Sequence, residues 1–408
     1  MATIVHKYGG TSVGTPEKIK NIAQKLKKLK NQGHNLVVIV SAMGHTTDEL
    51  IDLMKQTAKE PDHREYDMLV STGEQISAAL MAMALIDIGC PAISLTGGQA
   101  GIVTEDIYKK ARIKEVKLER IKKEIKDGKV VVITGFQGVD SKGDIITIGR
   151  GGSDTSAVVV AAALKADVCD IYTDVEGVYT TDPRIVAEAK KLKEISYEEM
   201  LELASLGAQV LHPRSVECAK NYGVVIHLRS ATKDVEGTYI KNIKGGSRME
   251  MQKAVSGIAL DTDVAKVGVL KIPDRPGTAS RIFSALAKEK INVDMIIQSV
   301  HPEGEKADLA FTVGCTDLNK TKEVIQKIAN ELGAEEVVID EHLAKISIVG
   351  VGMISQPGVA AKMFEVLAKE KINIEMISTS EIKISCVIKE GKGKLAVKLL
   401  HAAFELNQ

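Results

Sequence analysis

Short apolar runs separated by amphipathic stretches fill roughly the first 230 positions of this 408-residue chain, and that alternation limits the fold more than any other feature. The runs at 36–40, 92–95, 130–133 and 168–172 lack strict polar alternation, so both of their faces are expected to be buried. Between them lie helical patterns. After Thr15, a cap, and Pro16, suited to the first helical position, Ile19, Ile22, Ala23, Leu26 and Leu29 recur at helical spacing before Gly33. Residues 74–88, 117–126 and 156–164 read as further helices. Strands alternating with helices predict an α/β fold with a parallel sheet covered on both faces. Ligands of such sheets collect beyond the carboxyl ends of the strands. Gly9-Gly10, Ser41-Ala42, Gly97-Gly98, Gly135-Phe136 and Thr173-Asp174 all follow predicted strands and can line one crevice.

Four constellations carry chemistry. Lys7-Tyr8-Gly9-Gly10-Thr11-Ser12-Val13-Gly14 joins a strand to a helix start, where bare N–H groups can meet a phosphate, or simply turn the chain. Its lysine precedes the glycines, so it is not a P-loop. In Ser71-Thr72-Gly73-Glu74, Ser71 or Thr72 can cap the next helix; Glu74 either complements the helix dipole or meets a substrate ammonium. Gly149-Arg150-Gly151-Gly152-Ser153-Asp154 opens an apolar helix with bare N–H groups and an arginine fork for a carboxylate or phosphate. There Asp154 is either a helix-start acid or a functional one. The loop from Tyr172 through Thr173, Asp174 and Tyr179 to Arg184 mixes rings, acids and an arginine, suiting a nucleotide or a solvated turn. His6, His45 and His212 have no readable nucleophile partner and read as surface or capping histidines. Two anion-binding helix starts with a lysine and an arginine suit phosphoryl transfer, where positioning and charge supply most of the catalysis.

Composition narrows the partners. Lys+Arg and Asp+Glu number 54 each, and there are no Trp and five Phe, so nucleic acid is not an expected partner. The five cysteines, Cys90, Cys169, Cys218, Cys315 and Cys386, lie far apart, which argues against zinc and disulfides and fits a reducing cytoplasm. No apolar run approaches the roughly 18 residues of a membrane span, so no membrane association is expected. From about 250 the texture changes. RIFSALAKEKINVDMI at 281–296 recurs as KMFEVLAKEKINIEMI at 362–377, each after a Pro-Gly turn. Two βαββαβ units of about 80 residues are the simplest reading, with a boundary near Gly245-Gly246-Ser247.

KYGGTSVG at 7–14, SAMGHTTD at 41–48, STGE at 71–74, GRGGSDTSA at 149–157 and YTDVEGVYTTDPR at 172–184 resemble the aspartate kinases of the amino-acid kinase superfamily. The repeated units resemble that family's paired ACT domains. The resemblance implies a three-layer αβα amino-acid kinase domain over 1–245. Two ferredoxin-like ACT units would follow over 255–335 and 336–408, interleaved through the strand near 255–260. It implies transfer of the ATP γ-phosphate to the side-chain carboxylate of L-aspartate, in lysine, threonine and methionine biosynthesis. Carried over by position, Lys7, Arg150 and Asp154 are catalytic. Thr47, Glu74, Arg150, Gly151, Gly152 and Ser153 hold aspartate. Lys7, Tyr8, Gly9, Gly10, Ser41, Thr173, Asp174, Tyr179 and Arg184 line ATP, and Mg2+ arrives with the nucleotide, Asp154 orienting Lys7 or the Mg2+ shell. No dedicated protein metal site is expected. Gln209 stands where many relatives carry lysine, putting a second phosphate-side cation there in doubt.

The ACT resemblance implies a dimer, or a larger oligomer, through these units and inhibition by lysine, threonine or both. Asp274, Gly277, Asn292, Asp294 and Gln298 form one candidate effector mouth, and Ser355, Gly358, Asn373 and Glu375 the other. Met249 or Met251 can start a separate regulatory chain, as in some relatives, and a fused homoserine dehydrogenase is not expected at this length. Two other readings remain open at the level of sequence. One is a kinase for glutamate or N-acetylglutamate; the other is a non-catalytic amino-acid sensor on the same fold.

Overall fold

The computed structural model describes residues 1–206, 210–243, 253–300, 304 and 306–407. Gln209, Gly245-Gly246-Ser247, Met249 and Met251 lie outside the described residues. The chain divides into two compact units, Met1–Tyr179 with Lys191–Met249, and Thr180–Lys190 with Glu250–Gln408.

The first unit begins β1 (Thr3–Tyr8), α1 (Pro16–Asn31), β2 (Asn35–Val40), α2 (Thr46–Thr57), α3 (His63–Val70), α4 (Thr72–Asp87) and β3 (Ala92–Leu95). It continues with β4 (Ile102–Thr104), β5 (Ile113–Val116), α5 (Glu119–Lys126), β6 (Val130–Thr134), β7 (Gln137–Val139), β8 (Ile145–Thr147), α6 (Gly152–Leu164) and β9 (Val168–Thr173). After residue 190 come β10 (Glu194–Ile195), α7 (Tyr197–Ser205), α8 (Pro213–Tyr222), β11 (Ile226–Ser230) and β12 (Thr238–Ile240). The main sheet has the order β10-β12-β11-β9-β1-β2-β6-β3, and every pairing in it except β11 with β12 is parallel.

Strand periodicity distributes the apolar residues between the two faces. Leu36, Val38, Val40, Val130 and Val132 form one core with Ile19, Ile22, Ala23 and Leu26 of α1 and Ala78, Met81 and Leu85 of α4. The alternate residues Val5, Val37, Ile39 and Val131 are equally buried, and α6 packs over β1, β2 and β9. The order of connections reverses between β1 and β9, which are parallel neighbours, so the mouth of the sheet opens beside the ends of those two strands.

Thr15 caps α1 by accepting from the Lys18 N–H, as its sequence position suggests. Ser71 and Thr72 do otherwise. Their hydroxyls donate backward to the carbonyls of Met68 and Leu69, because α3 runs almost directly into α4 and leaves no free helix start to cap. The combined stretch His63–Asp87 is long and apolar enough to cross a membrane, which the sequence reading did not foresee. Half of its most apolar part is buried within the fold, and it carries the buried acids Asp67 and Glu74, as a core helix would. The four-stranded sheet β5-β4-β7-β8 was also unforeseen, since its strands are three or four residues long and leave no readable period.

The second unit holds β13 (Gly257–Pro273), α9 (Thr278–Lys288), β14 (Ile296–Val300), β15 (Lys306–Val313), α10 (Leu318–Leu332), β16 (Glu336–Val349), α11 (Val359–Lys369), β17 (Met376–Thr379), β18 (Lys383–Lys389) and α12 (Gly393–Ala403). One six-stranded sheet, β14-β15-β13-β16-β18-β17, runs through it. The 17 residues of β13 serve two cores: Ile258 packs with Met363, Leu367 and Leu400 of α11 and α12, whereas Val267 and Val269 pack with Ile282, Leu286 and Ile325 of α9 and α10. The segment 180–190 also belongs here. Val186 sits in the core of Ile258 and Met363, the Thr180 carbonyl accepts from the Ile258 N–H, and the Thr180 hydroxyl meets the His401 Nε2 at 2.9 Å.

Candidate active site

The loops at the carboxyl ends of the parallel strands are stitched to one another. The Gly9 N–H donates to the Tyr172 carbonyl, Ser41 N–H to Tyr8, Gly44 N–H to Gly10 and Gly135 N–H to Val40. A Cβ on Gly10 would stand 2.8 Å from the Ala42 carbonyl, so only glycine lets these two turns close on each other. The ends of β1, β2, β6 and β9 therefore share one rim.

Lys7 leaves β1 on the α6 side, and its Nζ lies 2.6 Å from Asp154 Oδ1 in the first turn of α6. Arg150, exposed, and Gly151 precede that helix, and no side chain caps it. Its N-terminal end, with the partial positive charge of the helix dipole, thus faces the crevice beside Lys7. Ser153 is half-buried in the same turn. Asp154 and Arg150 both act electrostatically on His212, so lysine, arginine and helix tip gather in one neighbourhood.

Across the crevice Glu74 is 4% exposed in the first turn of α4. Its Oε1 accepts from the Ala42 N–H at 3.1 Å, while Oε2 is buried with no partner. Burial pushes its carboxyl up to about 7, against the pull of the Ala42 hydrogen bond. A buried carboxyl with one idle oxygen leaves a hydrogen-bonding position that a cationic group can fill. Thr47 opens α2 close by: its neighbour Thr46 packs towards Gly73, beside Glu74.

Other sequence candidates are placed differently. Tyr8 is 3% exposed and its ring stacks on Tyr172, with centroids 4.6 Å apart, inside the α1–α4 core, so only its backbone reaches the rim. The Thr173 hydroxyl donates to Asp174, which is exposed, and Tyr179 reaches Glu176 at 3.5 Å. Arg184 lies in the second unit, its exposed guanidinium forked onto Asp182, and Val186, two residues on, packs in that unit's core.

A buried polar ladder crosses the central strands, and it corrects the reading of His6 as a surface or capping histidine, since its ring is fully buried among them. Asp170 meets His6 Nδ1 at 3.3 Å and His227 Nδ1 at 3.1 Å, and His227 stacks on Tyr239. Burial raises the Asp170 carboxyl, and the His227 hydrogen bond, His6 and Arg229 outweigh that and bring it below the usual range. Nothing in the sequence marks these three residues as neighbours, since they come together only through the β1-β9-β11 register. Among the described residues no group of three or more His, Cys, Asp or Glu side chains gathers to hold a metal ion by itself.

In the second unit the effector candidates fall into two sets with related local structure. Asp274 accepts from Gln298 at 3.4 Å, Asn373 donates to Glu375 at 3.4 Å, and Gly277 and Gly358 both adopt positive φ at helix starts. Asn292 is exposed beside Asp294, and Ser355 donates to the Gly352 carbonyl. Two of the acids are paired with a lysine from a long strand: Asp294 binds the buried Lys345 of β16, and Glu375 lies 3.7 Å from Lys266 of β13.

The amino acid kinase family model matches residues 2–230, and ACT domain models match 267–330 and 346–404. The aspartokinase of Bacillus sp. (strain MGA3) is 52% identical over 407 residues, covering 100% of this chain and 98% of that one. The crystal structure of E. coli aspartokinase III in complex with aspartate and ADP, an R-state, has a TM-score of 0.82 at 26% identity and covers 98% of this chain and 99% of that one. The same enzyme with lysine and aspartate, a T-state, matches at 0.78 and 25% over the same shares. An amino acid kinase match over more than half of the chain, followed by two ACT matches and full-length identity of this order, places the chain in the aspartokinases of the amino acid kinase family.

Proposed function

We propose that the chain transfers the γ-phosphoryl group of ATP to the side-chain carboxylate of L-aspartate, giving 4-phospho-L-aspartate, at the rim between β1, α4 and α6. The observation that carries the residue assignment is the pairing of Lys7 with Asp154 beside the uncapped tip of α6, facing Glu74 with its unpartnered oxygen. Lys7, Gly9, Gly10 and the α6 N–H groups hold phosphate oxygens, and Asp154 orients Lys7. Ser41, Thr173, Asp174 and Tyr179 line the nucleotide. Glu74 takes the aspartate ammonium; Thr47, Arg150, Gly151, Gly152 and Ser153 take its carboxylates. The nucleophile is the ionised substrate carboxylate, so no protein base is needed. Mg2+ comes with ATP, held by phosphate oxygens, and offsets their charge. The assay is ADP formation with Mg-ATP and a panel of aspartate, glutamate and N-acetylglutamate. Turnover with aspartate above the other two is expected; preference for another acid, or none at all, would remove the assignment.

The paired ACT units support feedback control by lysine, threonine or both, and the lysine-bound E. coli relative supports lysine in particular. Asp294 and Glu375 mark the two effector mouths. Asp294→Ala is expected to leave uninhibited turnover near wild type and to shift the inhibiting concentration about 5–150-fold, the usual scale of such coupling. An unchanged inhibition curve would take Asp294 out of the effector site. The outer strands β14 and β17 end the six-stranded sheet, with Ile296 and Ile377 exposed, which supports a homodimer through this unit. Light scattering should give twice the chain mass or a multiple of it, and a monomer at micromolar concentration would refute this. The five cysteines are all free, which supports a reducing, cytoplasmic setting.

A further inference from the structure

His212 reads from sequence as a capping residue, and half of its ring does cap. It is the N-cap of α8, and its Nδ1 accepts the Arg214 N–H at 3.3 Å. A nitrogen that accepts carries no proton, so the neutral ring keeps its proton on Nε2, and that second nitrogen is a donor. The residue is held firmly: its carbonyl accepts from both the N–H and the hydroxyl of Ser215. The following Arg214 forks onto the carbonyls of Ile148 and Ala111, at 2.7 and 2.6 Å, and so ties the start of α8 to the loop that carries Arg150.

The other edge of the ring lies over the α6 turn. A Cβ on Gly151 would stand 2.3 Å from His212 Cγ and 2.9 Å from Cδ2, the carbon bonded to Nε2, and Gly151 has φ +69°. Asp154 and Arg150 both act on this imidazole, and burial lowers its pKa, which favours the neutral form near pH 7. The turn that must present bare N–H groups to an anion therefore has a fixed imidazole donor beside it. Glycine at 151 is what admits the ring.

We infer that His212 is a ligand-binding residue of the same site, its Nε2–H donating to an anionic oxygen seated at the amino end of α6. The inference rests on reading this rim as the phosphoryl-transfer site. The oxygen belongs either to a substrate carboxylate or to a nucleotide phosphate, which share this chemistry.

His212→Asn and His212→Ser test it in the full chain, because Asn and Ser both serve as N-caps but neither reaches as far as the imidazole edge. Melting temperatures close to wild type are expected, with kcat/KM lowered roughly tenfold to a hundredfold, the usual worth of a hydrogen bond to a charged group. A raised aspartate KM with unchanged ADP affinity assigns the oxygen to the carboxylate, and weakened ADP binding by calorimetry assigns it to a phosphate. A fall in kcat alone assigns it to the phosphoryl group in transit. Wild-type kcat, KM and ADP affinity in both variants would overturn the inference and leave the kinase reading standing. Absence of wild-type turnover with every acid of the panel would instead remove the kinase reading, and calorimetry of ADP and of aspartate with the same variants would still decide the role of His212, wild-type affinity for both overturning it.

Discussion

Lys7→Ala is expected to lower kcat by about 10²–10³-fold or more, the scale seen when one group that stabilises transition-state charge is removed. The reason is specific to the way Lys7 is held. Its ammonium is nearly enclosed, at 11% side-chain exposure, and rests on Asp154 Oδ1 at 2.6 Å. Deleting the lysine removes the cation beside the phosphates and also leaves the Asp154 carboxylate without its partner at an anion site, where it repels the nucleotide. Lys7→Ala with Asp154→Ala should therefore lose less than the product of the two single losses. The coupled ADP assay measures all three variants. Lys7→Ala activity within threefold of wild type would sink the catalytic role given to the lysine.

Glu74→Gln is expected to make the protein more stable and a worse binder of aspartate. The folded carboxyl sits near 7 against an ordinary value of 4.5, so between those two pH values the folded chain binds more protons than the unfolded chain. Stability thus falls as pH rises through that window, by a total of about 3 kcal/mol at roughly 1.36 kcal/mol per pKa unit. Glutamine avoids the loss, so the variant should match wild type near pH 4.5 and exceed it by about that amount above pH 7, read from urea melts. Aspartate, whose ammonium needs the ionised carboxylate, must displace a proton to bind below pH 7. Wild-type aspartate KM should fall by up to about tenfold per unit as pH rises towards 7, and the variant should show a higher, flatter KM. A variant with wild-type KM at every pH would refute the ammonium role.

Legibility in the sequence followed the range of the interaction. The Lys7 loop, the Glu74 helix start and the Arg150–Asp154 turn were legible because each is a local pattern of glycine, charge and helix onset. The parallel sheet was legible because its strands are buried on both faces and lack alternation. What stayed hidden was set by distant neighbours. Tyr8 looks like a rim residue until its strand phase turns the ring onto Tyr172. Ser71 and Thr72 look like caps until α3 is seen to run into α4. Arg184 follows the nucleotide loop in sequence, yet the burial of Val186 two residues on places its exposed segment with the second unit. His212 reads as a cap, and its second edge emerges only when α8 is laid beside a turn some 60 residues earlier in the chain. The Asp170 pair of histidines needs the register of three strands.

The placement of 180–190 also sets a rule for recombination. Val186 fills a cavity otherwise lined by residues beyond 250, and the Ile258 amide finds its acceptor on Thr180. A single crossover near 245 between two relatives would hand the regulatory sheet a foreign plug, and a catalytic fragment ending there would carry an apolar tongue into water. A working chimaera needs two further junctions, so that this eleven-residue insert travels with the ACT pair it completes.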